Sequence, residues 1–262
     1  LAYAFALYND FAGYTSIVRG VSLWFGIELS PNFNLPYYAR NFTEFWSRWH
    51  ITLSNWLRDY IFYPLAWKLR RRYPAEDHFF NVFLPPMATM LVSGMWHGLS
   101  WNLLVWGGLH GLYLMLEHLP SWRKPLPPMN RRPRWKQNAG RVITFLLAAL
   151  AWLPFRTSLR HTWEYLGAMF RWAPPDLLAL ARTLVGWSPL SDWSQFNLPN
   201  PILILVLAAA IGFDALQHKA GKDEFLLTMP RWFQVLLVVL LLFVALLAFF
   251  SDTIAPFVSQ GF

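Results

Sequence analysis

Histidine is the side chain best suited to moving a proton near neutral pH, and this sequence holds two in settings that fit such work. His97 lies in SGMWHGLSWN, inside Phe79–Leu116, a stretch of 38 residues without one formal charge. Its neutral imidazole offers one donor and one acceptor. Gly94 and Gly98 flank it, lowering helix propensity and permitting close backbone approach. The competing reading is a buried histidine satisfied by a backbone carbonyl, since polar side chains inside a bundle also act as packing glue. His50 lies in NFTEFWSRWHITLSNWLRDYIFYP, residues 41–64. Drawn as one helix, this segment puts Ser47, His50, Ser54 and Arg58 on one row, with Glu44, Arg48, Asn55 and Asp59 beside it. Such a face either lies in the headgroup plane against water or lines an aqueous cavity within the protein.

Other chemistries are poorly provided for. There is no Cys, which removes thiolate nucleophiles, disulfides and Cys-ligated metals. No HExxH or close histidine pair occurs, and His50 and His97 have no carboxylate companion in sequence, so no metal is expected. Gly-x-Ser-x-Gly elbows, P-loops and dinucleotide fingerprints are absent, so no bound cofactor is expected either. His110, in the second half of the uncharged block, is read as a packing residue. His78, His118, His161 and His218 sit near charges or loops and receive no role.

The elements that must carry these residues are membrane helices. Apolar residues make up 56% of the 262 and charged residues 14%, against roughly 45–50% and about 25% in soluble domains. Trp232–Ser251 is an uncharged run of 20 and predicts a spanning helix. Phe79–Leu116 is long enough for two passes, with glycines near its middle that predict a hairpin or a broken pair. Pro201–Gln217 is a third segment, despite Asp214. Val142–Phe155 spans only if Arg141 and Arg156 snorkel, and Tyr3–Phe25 is interrupted by Asp10 and Arg19. In residues 41–64, Phe42, Phe45, Trp46, Trp49, Leu53, Trp56, Leu57 and Tyr60 form an apolar stripe. Asn41 and Glu44 resemble a capping box, and Pro64 is expected to end the helix.

The net charge of +8 is unevenly placed. Lys68, Arg70, Arg71 and Arg72 form one cluster, and Arg123, Lys124, Arg131, Arg132, Arg134, Lys136 and Arg141 another; together they hold 11 of the 22 Lys and Arg. Both flank the uncharged block, so two passes return the chain to one side, and the positive-inside rule makes that side cytoplasmic. The charges sit where topology needs them, and no aromatic-interleaved basic groove appears, so nucleic acid is not an expected partner. The basic, Pro-rich 123–141 loop is suited to anionic headgroups.

The segments at 42–65 and 93–117 resemble the membrane-bound O-acyltransferase family, in the bacterial branch of alginate O-acetyltransferases and teichoic-acid D-alanyl transfer proteins. Residues 8–37 and 150–170 are similar to the blocks before and after them. The resemblance implies an all-α polytopic membrane protein, a bundle of transmembrane helices with an amphipathic or re-entrant helix lining a central cavity. It also implies that residues 1–262 are the C-terminal portion of one membrane-embedded domain whose earlier helices precede Leu1. His97, in Trp-His-Gly, matches the family's catalytic histidine, and His50, in Arg-Trp-His, a second active-site position. Trp96, Arg48, Ser54, Asn55, Arg58 and Asp59 are then expected to bind substrate or donor.

The implied reaction moves an acyl group, acetyl foremost, from a cytoplasmic thioester to a hydroxyl of an exported or cell-envelope polysaccharide. The donor is acetyl-CoA or an acyl-carrier thioester, the setting the inner membrane, and extracytoplasmic acyltransferase proteins are expected partners. Two alternatives stay open. One is D-alanyl or other acyl transfer from a carrier protein to a cell-wall polymer. The other is a transporter or scaffold without catalysis, which internal repeats would favour; the two histidine motifs share only Trp-His.

Overall fold

The computed structural model describes residues 2–75, 78–118, 128–170, 201–220 and 228–239, and among them there is no strand. Two compact units divide the chain, one built essentially on residues 3–163 and the other on residues 164–256. In the second unit, Pro201–Ala220 is a 20-residue helix that opens on proline, as expected, and carries Asp214 at 7% exposure. Residues 231–239 are helical. The rest of the predicted Trp232–Ser251 span, like Arg123 and Lys124 of the basic loop, lies outside the described residues.

The first unit contains the candidate site. Helix α1 (Ala2–Trp24) runs through Asp10 and Arg19 without a break, and Arg19 donates from Nε to the Leu29 carbonyl at 3.1 Å. The uncharged block forms a hairpin of α5 (Phe79–His97) and α6 (Trp101–His118), turning where Gly98 stands. Gly98 has φ +151°, a backbone conformation that side chains rarely adopt. Small residues set how closely the two helices pack. A Cβ at Gly94 would strike the Leu103 carbonyl, one at Gly107 the Met90 carbonyl, and one at Gly111 would meet the Met87 Cα at 3.1 Å. Pro85 and Pro86 lie inside α5, each removing a helix donor, and the Thr89 hydroxyl donates to the Pro85 carbonyl at 2.7 Å. Helix α7 (Arg134–Arg156) is longer than the predicted Val142–Phe155, and the Arg156 guanidinium lies 4.5 Å from the Tyr3 ring centre. By length and composition, α5 and α7 can each cross a membrane. Helix α8 (Leu159–Phe170) follows.

Residues 41–64 depart from the single helix expected. They form α2 (Phe42–Trp46) and α3 (Ile51–Leu57), then a π-helical turn over Arg58–Phe62 that runs into α4 (Tyr63–Arg72). The break falls at His50, whose φ of 43° and ψ of 55° are left-handed. Pro64 does not end the run: it follows the π-helical turn, where the Tyr63 N–H reaches back to the Arg58 carbonyl, and α4 continues through it. The break also divides the apolar stripe. Phe42, Phe45 and Trp49 are only 5%, 0% and 4% exposed; beyond the break Leu57 is also buried, at 3%, whereas Trp56 and Tyr60 are 48% and 66% exposed.

The core of this unit is aromatic. Trp49 stacks on Phe45 with ring centres 5.7 Å apart and meets Trp152 of α7 at 4.9 Å; Trp152 in turn stacks on Trp106 of α6 at 5.8 Å. His110 is fully buried in this cluster, 5.0 Å from Trp106 and 5.1 Å from Trp46, with neither ring nitrogen hydrogen-bonded.

Candidate active site

His97 is the last residue of α5, and Gly98 caps the helix by donating its N–H to the Met95 carbonyl. The ring of His97 stands edge-on to Trp106 at 5.3 Å and to Phe155 at 5.1 Å. Trp96, 57% exposed, lies 4.8 Å from the His97 ring and 6.1 Å from the ring of His50. One indole therefore lies against both imidazoles. Two residues 47 apart in sequence are brought together by the α5 terminus and the α2–α3 break.

The segment 32–34 holds that break. Asn34 donates its N–H to the Arg48 carbonyl and Ile51 to the Asn32 carbonyl, each at 2.9 Å, so the chain is pinned on both sides of His50. The Asn32 side chain adds a third set of bonds: its Oδ1 accepts from the Thr52 N–H at 3.1 Å and the Thr52 hydroxyl at 2.9 Å, and lies 3.2 Å from Nδ1 of His50. Phe11 of α1 stands perpendicular to the His50 ring at 4.9 Å. Asn32 and Phe11 were invisible as site residues in the sequence, because nothing in residues 8–37 points to a contact with position 50.

The half-helix before the break is held by charge. Asn41 caps α2, accepting from the Glu44 N–H at 2.7 Å, which is half of the expected capping box. The other half is diverted: the Glu44 carboxylate accepts from the Arg40 N–H at 2.9 Å and pairs with Arg40 at 2.8 Å and Arg48 at 2.7 Å. Glu117, from the end of α6, takes the first free donors of α2, the N–H groups of Phe42 at 2.8 Å and Thr43 at 3.1 Å. Burial pushes the Glu44 carboxyl upward, but hydrogen bonds and charge from Arg40 and Arg48 outweigh it and hold the group at about 2.

A cavity of about 300 Å³ lies between the 43–62 segment and the α5–α6 hairpin. Ser47, Ser54 and Arg58 line it, with Thr89, Leu114 and His118 among the residues opposite. Three of the four residues on the predicted polar row thus face a cavity, and the left-handed turn removes the fourth, His50, to the neighbourhood of Trp96 and His97.

The remaining expected site residues have plain placements. Arg48 is committed to Glu44 and to the Asn34 carbonyl at 3.1 Å. The Ser54 hydroxyl donates to the Trp49 carbonyl at 3.0 Å. Arg58 donates to Asn55 Oδ1 at 2.9 Å and lies 3.7 Å from the Asp59 carboxylate, with Asn55 and Asp59 both exposed. Among the described residues no three His, Asp or Glu side chains converge as metal ligands.

These features define a helical protein with apolar helices of membrane-crossing length and two histidines against one indole at a helix end. A profile of the membrane-bound O-acyltransferase (MBOAT) family matches residues 1–155, and the chain belongs to that family. The probable alginate O-acetylase AlgI of Pseudomonas aeruginosa is 38% identical over 183 residues, covering 70% of this chain and 32% of that protein. The peptidoglycan O-acetyltransferase of Helicobacter pylori is 39% identical over 158 residues, 60% of this chain and 28% of the relative. The teichoic acid D-alanyltransferase of Streptococcus thermophilus is 32% identical over 172 residues, 62% and 41% of the two chains. The family membership and the likeness to the alginate branch agree with the resemblance carried by residues 42–65 and 93–117. The chain spans about a third of the length of these curated relatives.

Proposed function

We propose that this chain carries the catalytic histidines of an inner-membrane, multi-pass O-acyltransferase that moves an acetyl group from a cytoplasmic thioester, acetyl-CoA or an acyl-carrier thioester, to a hydroxyl of an exported or cell-envelope polysaccharide. The observation that carries the reading is the placement of His97 at the end of α5, against the same indole as His50. In the proposed step the acceptor oxygen attacks the thioester carbonyl while His97 takes its proton. The carbon–sulfur bond then breaks, and the leaving thiolate recovers that proton to leave as the thiol. No acyl-enzyme is needed, in keeping with a chain that has no Cys and no serine elbow. Ser54 and Arg58 are the binding groups at the cavity, with Asn55 and Asp59 holding Arg58. Trp96 walls the imidazole pair, and Arg48 holds the segment that presents His50. A site set in the bilayer, reached by the two substrates from opposite faces and with extracytoplasmic acyltransferase proteins receiving the product, keeps bulk water from the thioester.

The test is His97→Ala in the full-length protein, with ester content of the cell-envelope polysaccharide measured by mass spectrometry. Acyl transfer is expected to fall at least about 100-fold, the scale of a lost general base; ester content at the parent level would sink the proposal. D-alanyl transfer to a cell-wall polymer is the second reading, favoured by the likeness to a teichoic acid D-alanyltransferase. The same spectra separate the two, because acetyl and alanyl esters differ in mass.

A further inference from the structure

We propose that Asn32 is a positioning residue that fixes His50 as the tautomer with hydrogen on Nδ1, so that Nε2 is presented to the site as a lone-pair acceptor. This rests on the reading above, in which His50 belongs to the active site.

The assignment follows from the one donor in the cluster whose identity is not in question. The Thr52 backbone N–H can only donate, and it points at the Asn32 side chain at 3.1 Å, so the Asn32 atom there is the carbonyl oxygen. That oxygen can only accept. His50 Nδ1, 3.2 Å from the same oxygen, must therefore supply the hydrogen. A neutral imidazole carries one hydrogen, so Nε2 is left with its lone pair. The Thr52 hydroxyl donates to the same oxygen at 2.9 Å, and the Thr52 N–H, which cannot accept, keeps Asn32 from turning its amide into that place. Asn32 is 8% exposed, and its own carbonyl is held by the Ile51 N–H. Phe11 fixes the plane of the His50 ring.

The chemical consequence is a division of labour. A lone pair on Nε2 accepts a hydrogen bond from a hydroxyl, or from the thiol of the departing carrier; it cannot donate to the oxyanion of the tetrahedral intermediate. His50 then orients an O–H or S–H group while His97 removes the acceptor's proton. Of the titratable and charged groups on the elements around His50, His97 of α5 shares the Trp96 indole with it, Asp10 adjoins Phe11 in the sequence of α1, and Arg48 of the same segment is committed to Glu44.

The experiment uses full-length protein in lipid nanodiscs with ¹⁵N-labelled histidine, the His50 resonances being assigned by their loss in His50→Gln. The parent is expected to show a protonated Nδ1 and an unprotonated Nε2 at neutral pH. Asn32→Asp keeps an acceptor for Thr52, so the turn survives, and places a carboxylate against Nδ1–H. It is expected to move the titration of His50 upward by one pH unit or more, and the acid limb of the kcat profile upward with it. A proton on Nε2 in the parent, or an unmoved titration in Asn32→Asp, would overturn the tautomer assignment; a moved titration with an unmoved kcat profile, in a protein that His97→Ala inactivates, would overturn the role of His50 in turnover. The spectra do not depend on turnover, so failure of the catalytic reading, seen as full activity in His97→Ala, is distinguished from failure of the tautomer assignment.

Discussion

Glu44 shows how a single side chain holds the ground beneath the site. It receives bonds from Arg40 and Arg48, and Arg48 also reaches the Asn34 carbonyl beside the strained turn at His50. Its carboxyl lies at about 2, below the ordinary 4.5. A depressed carboxylate contributes stability that is fully present above the ordinary value and is lost as pH falls from 4.5 through about 2. Glu44→Gln is therefore expected to lower stability by about 1–3 kcal/mol at pH 7, the range for hydrogen bonds to charged groups that are largely buried. The thermal midpoints of parent and variant should converge as pH approaches 2; a constant gap across that window would contradict the ion-pair account. At this scale the sequence was partly legible. Asn41 and Glu44, three apart, advertised a cap, and half of it forms. The diversion of Glu44 to Arg40 and Arg48, the capping by Glu117 from 75 residues away and the grip of Asn32 on His50 are tertiary, and no local spacing encodes them.

At the scale of elements, the α5–α6 hairpin decides where His97 ends up, and glycine decides how the hairpin closes. Gly107 and Gly108 are adjacent in sequence and opposite in consequence. A Cβ on Gly107 collides with the backbone of Met90, whereas one on Gly108 finds only the Leu91 Cδ2 at 3.9 Å. Backbone cannot yield as a side-chain tip does, so Gly107→Ala is expected to cost about 1–3 kcal/mol or more by overpacking. Gly108→Ala is expected to be neutral or to gain up to about 1 kcal/mol from helix propensity. Thermal unfolding of the two variants checks the pair, and equal effects would mean that the hairpin is not packed through Gly107. The hairpin itself could be read from the sequence, since an uncharged block of that length with a glycine after His97 has few other solutions. The break at His50 could not. Its apolar and polar spacing continues smoothly through residues 41–64, and the left-handed turn is imposed by hydrogen bonds from residues 32–34, outside any window that periodicity examines.

Across the molecule, charge and apolarity tell one story. Exposed aromatics such as Trp56, Tyr60, Trp67 and Trp96 suit a solvent that is partly hydrocarbon. Basic residues collect at the end of α4, where Lys68, Arg70, Arg71 and Arg72 are exposed, and before and into α7, where Arg131, Arg134 and Lys136 are exposed. Between these two clusters α5 and α6 form one hairpin. If both helices cross the bilayer, an even number of passes puts the clusters on the same face, and the positive-inside rule makes that face cytoplasmic. Because residues 1–262 contain no Cys, Arg70→Cys and Arg134→Cys in the full-length protein give labelling that can be read against the parent. A membrane-impermeant maleimide applied to intact cells should leave both positions unlabelled, and applied to inverted membrane vesicles it should label both. Labelling of one position from each side would mean that the hairpin crosses an odd number of times, and the two-pass topology would fall with it. Labelling of both from outside would keep the hairpin but reverse its orientation, moving the α4 and α7 basic clusters to the opposite face from the one at which the proposed thioester donor would enter.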